Sequence, residues 1–548
     1  MAAGTLADHR DDHRDDHRDG RRDRRAEQAA LARGRARRPV LLLTIGSGVA
    51  AVLAVPLVFL LIEAQGAGAA QVWHLIFRSL TASLLWNTVR LTVVVTAACA
   101  VIGTGAAWCV ERTDLPGRRV WAVFVVVPLA IPDFVVSFGW HSLWGWAHGF
   151  TGAVIVMTLA VYPLVYLPVA ASLRGADPGQ EEVARSLGCG RLRTFVRITL
   201  GQAKGAIGGG CLLVALVLLA EYGAFDILGY QTFTTEIFDE LKGYSIATSC
   251  ALSLVLVVLS LLVLAGEGVL NGHSGRAQVS RSGPMTQRVN PPKQLGWTRW
   301  PALALFAALI LLALGVPVGA AVYWMADGLP AGLSGGSNVS LLDAAGHTAV
   351  YGGAAAALAT ALAFPVALLA VRHRGRVRQL LERSTYLVLG MPGVVIAFAL
   401  SYFTERYAAG FGYGTSMLLV VCYAIMFFPL ALVGVKASLA RAPAGLDDVA
   451  RSLGQSRLAV LFRVTARMAG PGLVAAFCLV FLSVVTELTA TLLLIPTGAQ
   501  TLATQFWAYE TNLSYSQAAP FALVMIIVAA VPSYVLGRFF QRPAQARG

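Results

Sequence analysis

An eight-residue phrase occurs twice in this chain: EEVARSLG at residues 181–188 and DDVARSLG at residues 447–454. Six of the eight letters are identical, and the other two exchange Glu for Asp. Each copy fills a polar break between long apolar runs. Any fold for this chain must therefore put two equivalent polar loops into two equivalent surroundings. Other pairs follow the same offset with small drifts. Tyr162-Pro163-Leu164 matches Phe428-Pro429-Leu430, Asn87-Thr88 matches His347-Thr348, Pro132 matches Pro392, and Gln231-Thr232 matches Gln500-Thr501. The chain reads as two halves of one design, in the same orientation.

The apolar runs decide the solvent. Hydrophobic residues make up 57% and charged residues 13%, where a soluble domain carries about 25% charge. A helix needs about 20 apolar residues to cross a bilayer. Twelve runs qualify: 40–62, 86–110, 120–146, 151–173, 205–228 and 246–270, then 302–325, 347–371, 384–404, 415–439, 472–495 and 518–540. The expected fold is all-α: a polytopic membrane protein of about twelve transmembrane helices in two parallel six-helix pseudo-repeats. Parallel repeats predict a pseudo-twofold axis along the membrane normal, with the pathway between the halves. Pro128 and Pro132 predict a kink or break in the third span, since proline removes a helix hydrogen bond.

Charge sets sidedness, because Lys and Arg accumulate on the inner side. With the N-terminus inside, the inner segments hold nearly all of these residues and the outer loops only Arg78, Lys242 and Arg406. Both termini and both copies of the repeated phrase are thus expected in the cytoplasm, in a bacterial cell membrane. Residues 1–38, with DHRD three times in succession, read as a disordered cytoplasmic tail. Residues 39–270 form the first half, 271–300 a cytoplasmic linker, and 301–548 the second half. The seven cysteines show no CxxC pair and suit small buried hydrophobes, so neither metal nor cofactor is expected.

The repeated loop has helix punctuation. Asp177 suits a cap, Pro178 the first turn and Gln180 a capping box. Val183 and Leu187 share a face, and Gly188 suits a left-handed helix end. A second short helix is expected next, with Leu192, Phe195 and Val196 as its apolar stripe. The other copy repeats this with Val449, Leu453, Gly454, Leu458, Leu461 and Phe462, although Ala442 before Pro443 is a poor cap. A single such loop would suit an amphipathic helix lying on lipid headgroups. Two copies about an axis suit a symmetric partner.

These loops resemble the EAA loop of ABC importer permeases. Glu182-Val183-Ala184, Gly188, Ile198 and Leu200 fit the motif, as do Asp448-Val449-Ala450, Gly454 and Val464. Gly201 and Arg467 stand where the family has Pro, and Ala466 where it has Leu. The resemblance implies docking of a cytoplasmic ATP-binding cassette ATPase dimer on Glu181, Glu182, Ala184, Gly188, Asp447, Asp448, Ala450 and Gly454. The chain has no phosphate loop of its own, so it is expected to be a non-catalytic membrane subunit. Residues 221–235 and 487–504 further resemble the fused ferric-iron permeases, which implies inward transport of ferric iron. Permeases for thiamine and phosphonates share the fused layout and remain alternatives. The outer loops are short, so an extracytoplasmic substrate-binding protein is expected; partners otherwise reduce to membrane lipid, with no nucleic acid.

Glu221 and Glu487 are equivalent positions, each following its copy of the repeated phrase at the same spacing. Carboxylates at membrane depth are costly and face a cavity or a partner. Together with Asp133 they are candidates for a cation path, since hard cations take oxygen ligands. Two structural roles compete with this: neutralisation by Arg90, and capping of broken helices. A proton-coupled secondary transporter using the same acids is the other function class, but it has no need of paired docking loops.

Overall fold

The computed structural model describes residues 40–66, 68–176, 178–243, 246–271, 294–332, 341–372, 381, 384–385, 387–407, 410, 412–441 and 445–541. The expected tail, most of the linker, Asp177, Ala442 and Pro443 lie outside the described residues. So do the side chains of Leu192, Asp447, Asp448 and Leu458.

The first half runs α1 (Val40–Gly66), α2 (Ala69–Ile76), α3 (Ser79–Arg112), α4 (Arg118–Phe124), α5 (Asp133–Leu143), α6 (Gly149–Val161), α7 (Pro163–Arg174), α8 (Pro178–Ser186), α9 (Leu200–Ala220), α10 (Gly223–Ile227), α11 (Phe233–Lys242) and α12 (Ile246–Asn271). The second runs α13 (Val316–Gly332), α14 (Leu341–Arg372), α15 (Gly393–Tyr407), α16 (Ser416–Arg441), α17 (Gly445–Ser452), α18 (Ala466–Val485), α19 (Thr489–Leu494), α20 (Leu502–Thr511) and α21 (Tyr515–Gln541).

Among the described residues, ten helices are long and apolar enough to cross a membrane. An eleventh span is broken: Arg118–Ala130 and Asp133–Leu143 meet at 90°. Pro132 starts the second piece in an extended conformation, with φ −56° and ψ 138°. The kink expected at the prolines is thus a right-angled turn. In the remaining expected span, 384–404, Pro392 stands immediately before α15, as Pro132 does before α5.

A second difference concerns the stretch after each repeated phrase. Instead of a separate short helix, Arg191–Thr194 runs through a π-helical turn, Phe195–Thr199, directly into α9. Arg457–Val460 and the π turn Leu461–Thr465 do the same for α18. No proline or left-handed residue follows Gly190 or Ser456 to stop the helix. A π turn absorbs the extra residue and is common at functional positions.

The duplication extends to single hydrogen bonds. Thr88 Oγ1 accepts from Phe233 N at 3.3 Å, and Thr348 Oγ1 accepts from Leu502 N at 3.0 Å. Asn87 Nδ2 donates to Gln231 O at 3.2 Å, and His347 Nδ1 lies 3.0 Å from Gln500 O. The dipeptides that match in sequence are contact partners in space. Each half has a core of three mutually packed elements, α3, α7 and α9 in one and α14, α16 and α18 in the other. Small residues permit the close approach, as in other membrane bundles. A Cβ on Gly210 would lie 2.7 Å from Val165 Cα, and one on Gly472 would lie 2.2 Å from Ser438 Cβ.

The first helix of each half crosses over. α1 packs on α15 and α14 of the second half, with Arg406 Nη1 3.4 Å from Glu63 Oε1. Reciprocally, α13 packs on α5 of the first half, where a Cβ on Gly139 would stand 2.7 Å from Pro317 Cα. One continuous apolar core therefore spans both halves.

Candidate functional site

Each repeated loop leads through its π turn into a long helix that runs toward a central carboxylate, α9 toward Glu221 and α18 toward Glu487. α8 ends as its glycine dictates. Gly188 has φ +82°, Cys189 N donates to Ala184 O at 3.0 Å, and Gly188 N donates to Arg185 O at 3.0 Å. α17 ends identically: Gly454 has φ +79°, with Gln455 N on Ala450 O at 3.2 Å and Gly454 N on Arg451 O at 3.0 Å. This double closure is the Schellman arrangement, and a side chain at φ near +80° would be strained.

The rotation of α8 about its axis sorts the candidate residues. Glu182 and Gly188 face outward, and so do Val183 and Leu187, the latter 78% exposed. On α17, Val449 and Leu453 form the same exposed pair, with Leu453 75% exposed, Gly454 exposed and Ala450 half-buried. Glu181 and Ala184 point inward; Glu181 is only 5% exposed. In this conformation Glu181 cannot meet a partner. It instead pins the loop to the bundle. Its Oε1 accepts from Thr199 Oγ1 at 2.8 Å and lies 3.8 Å from Arg112 Nη2, while Oε2 lies 3.9 Å from Arg185 Nη2. Arg112 ends α3 and is itself buried, and Thr199 closes the π turn. Gln202 Nε2 adds a 2.9 Å bond to Gln180 Oε1. The exposed apolar ridge was readable from the i, i+4 spacing of Val183 and Leu187; the inward turn of Glu181 was not.

The acidic centre forms where α9 and α18 stop. Glu221 Oε1 accepts from Ala224 N at 2.8 Å, and Glu487 Oε1 accepts from Ala490 N at 3.0 Å. Thr234 Oγ1 donates to Glu221 O at 2.5 Å, and Thr491 Oγ1 to Glu487 O at 2.7 Å. Both carboxylates thus cap the short helices α10 and α19, where amide N–H groups favour negative charge. Arg90 does not neutralise them: its Nε donates to Tyr230 OH at 2.9 Å, and its guanidinium lies 4.6 Å from the Phe150 ring centre. Of the two structural roles the sequence left open, capping is the one present.

The two cap loops meet between the halves. A Cβ on Gly223 would stand 2.6 Å from Leu488 Cδ2 and 3.1 Å from Phe134 Cβ. Asp133, Glu221 and Glu487 are all half-buried, and Glu221 is in the electrostatic field of both other acids. At the position equivalent to Asp133 the second half has Gly393, whose Cβ would lie 3.3 Å from Glu487 Oε1. Glu487 also lines a small cavity together with Thr348, Tyr351, Tyr423, Thr491 and Thr501 and the apolar Val484, Val485 and Ala503. The first half has Leu91, Met157 and Phe225 where the cavity has the two tyrosines and Thr491. Among the described residues, no group of three His, Cys, Asp or Glu side chains is placed to chelate a metal ion. The centre offers separate carboxyl oxygens along a seam.

Comparison with known proteins agrees with this two-fold plan. The family described as "binding-protein-dependent transport system inner membrane component" matches twice, over residues 100–273 and 344–545. The Fe(3+)-transport system permease protein FbpB 2 of Haemophilus influenzae is 34% identical over 489 residues, covering 89% of this chain and 96% of that protein. The ferric transport system permease protein FbpB of Actinobacillus pleuropneumoniae is 23% identical over 465 residues, 77% of this chain and 66% of that protein. The sulfate transport system permease protein CysT of Salmonella typhimurium is 26% identical over 250 residues, 42% of this chain and 90% of that protein, so one half here is about the size of a whole relative. A matched loop pair, a matched pair of capping carboxylates and a family match to each half converge: this chain belongs to the binding-protein-dependent transport system inner membrane components, the permease subunits of ABC importers.

Proposed function

We propose that this chain carries ferric iron inward across a bacterial cell membrane, with both termini and the repeated loops in the cytoplasm. The observation that carries the cargo assignment is similarity along 96% of the length of a relative named as an Fe(3+)-transport permease. Three half-buried carboxylates at the seam between the halves support it, because a hard cation takes oxygen ligands.

In this reading two ATPase subunits dock on the exposed ridges, Val183-Leu187-Gly188 and Val449-Leu453-Gly454, with Glu182 beside the first. ATP-driven closure of the ATPases displaces α8 and α17. Glu181 transmits the displacement of α8, since it holds both Thr199 at the start of α9 and Arg112 at the end of α3. α9 ends at Glu221, so a push at the loop reaches the acidic centre along one helix. A binding protein on the opposite side supplies the ion, which passes Glu221, Glu487 and Asp133.

The test is uptake into vesicles that hold this chain with its ATPase and binding protein. Radiolabelled ferric iron should enter only with ATP. Entry of thiamine in its place would keep the machine and replace the cargo. Uptake driven by a proton gradient without the ATPase would overturn the docking role of the loops.

A further inference from the structure

Arg90 lies within α3, and its side chain is clamped from two sides. Nε donates to Tyr230 OH at 2.9 Å, and that hydroxyl donates onward to Asn87 O at 2.9 Å. The guanidinium stands 4.6 Å from the centre of the Phe150 ring and 5.6 Å from that of Tyr230. Arg78, Lys242 and Arg406 pair with Glu240, Asp239 and Glu63. Arg90 makes no ion pair among the described residues. It is half-buried, and among the described residues the Nη1–Nη2 edge of its fork meets no acceptor. The clamp thus fixes the plane of the guanidinium and leaves its bidentate edge free.

Position says what lies on that edge. Arg112 at the end of α3 meets Glu181 of the repeated loop. At about 1.5 Å per residue, the helix from Arg112 back to Arg90 measures about 33 Å. That is close to the thickness of a hydrocarbon core, about 30 Å, so Arg90 reaches the headgroup level of the leaflet away from the loops. Trp86, one turn further out on the same stripe, is exposed where an aromatic belt belongs. Val93, Val94, Ala97 and Val101 continue the stripe inward and are exposed as well. A phospholipid presents the same order, phosphate first and acyl chain beneath. The equivalent of Arg90 in the second half is Val350, 64% exposed, so this face meets lipid in both halves. There Ser416 and Ala499 stand in place of Phe150 and Tyr230, and the clamp belongs to the first half alone. We propose that Arg90 binds the phosphate of a phospholipid in that leaflet. Nη1 and Nη2 hold two of its oxygens, as an oriented guanidinium does best, and an acyl chain lies along Val93, Val94 and Val101. Because Tyr230 belongs to the loop that follows α10, the bound headgroup ties α3 to that loop. This site is independent of the cargo assigned above.

The full chain, stripped of lipid in a non-ionic detergent, is titrated with phosphatidylglycerol, and bound lipid is counted by native mass spectrometry. The wild type should hold one lipid more tightly than the rest. Arg90→Gln should weaken that lipid at least tenfold. Arg90→Lys keeps the charge without the fork, and Tyr230→Phe removes the acceptor of Nε; each should weaken it severalfold. If Arg90→Gln fails to accumulate, Arg90→Lys reads the same edge. Val350→Arg adds a guanidinium to the equivalent face without a clamp and should add no second lipid of that affinity. Unchanged affinity in both Arg90 variants would overturn the site. So would equal affinity for a phosphate-free glycolipid with the same acyl chains, or a second tight lipid in Val350→Arg. Displacement of the lipid by millimolar inorganic phosphate would assign the fork to a free anion instead. Lipid retained in Arg90→Gln, with capture of the substrate-binding protein lost, would assign it to a carboxylate of that protein.

Discussion

Replacing Arg112 with alanine should detach α8 from the bundle. Arg112 Nη2 lies 3.8 Å from Glu181 Oε1, with the two side chains 4% and 7% exposed. At an effective dielectric of about 20, unit charges at that distance attract by about 4 kcal/mol. Desolvation of both groups offsets most of this, so the intact pair adds little net stability. Removing only the arginine is a different case. Glu181 stays buried, keeps the Thr199 hydroxyl, and retains Arg185, whose side chain is half exposed and contributes a heavily screened attraction. Removing one partner of a buried ion pair costs about 3–5 kcal/mol. Since about 1.4 kcal/mol is a factor of ten, amide protection in α8 should fall by roughly two to three and a half decades. Hydrogen exchange by mass spectrometry on nanodisc samples reads this directly. Uptake should fall while ATP hydrolysis by the docked subunits continues. Adding Glu181→Gln removes the buried charge, and protection should recover by at least half of the loss in free energy. A change below about threefold in the single variant would refute the pinning role of Glu181. So would a double variant no better than the single.

Leu187→Asp together with Leu453→Asp alters only the exposed ridges, so membrane insertion and yield should persist while co-purification of the ATPase is lost; retained co-purification would move the docking surface elsewhere. Glu221→Gln and Glu487→Gln keep the capping acceptor, so yield should stay within about twofold while ferric uptake drops at least tenfold; equal losses in both would leave these acids a purely structural role.

The parts of this architecture that local chemistry controls were legible in the sequence. Gly188 and Gly454 end their helices in the left-handed conformation their positions suggested, and Pro132 breaks its span. The matched dipeptides at Thr88 and Thr348 mark the same contact twice. What escaped was rotation and tertiary choice. Glu181 and Glu182 are adjacent and chemically alike, yet one is buried and the other exposed, because α8 turns the first toward Arg112 at the distant end of α3. Arg90 lay near enough in expected depth to pair with Glu221, but the aromatic pair Phe150 and Tyr230 took it. The run after Gly190 carries an amphipathic stripe that fits a separate short helix equally well, and only the absence of a stop signal joins it to α9.

The crossing of α1 and α13 has a consequence for how such a molecule can be divided. A cut in the segment between the halves would yield two polypeptides, but neither would be a self-contained body. Each would leave its leading helix clasped in the other, as with two interlocked hands. Severed halves made together should therefore purify as one particle, whereas either made alone would display the bare flank of α15 or α5 to lipid. The interlock also limits movement: neither half can swing away whole, so opening must proceed by sliding within the clasp.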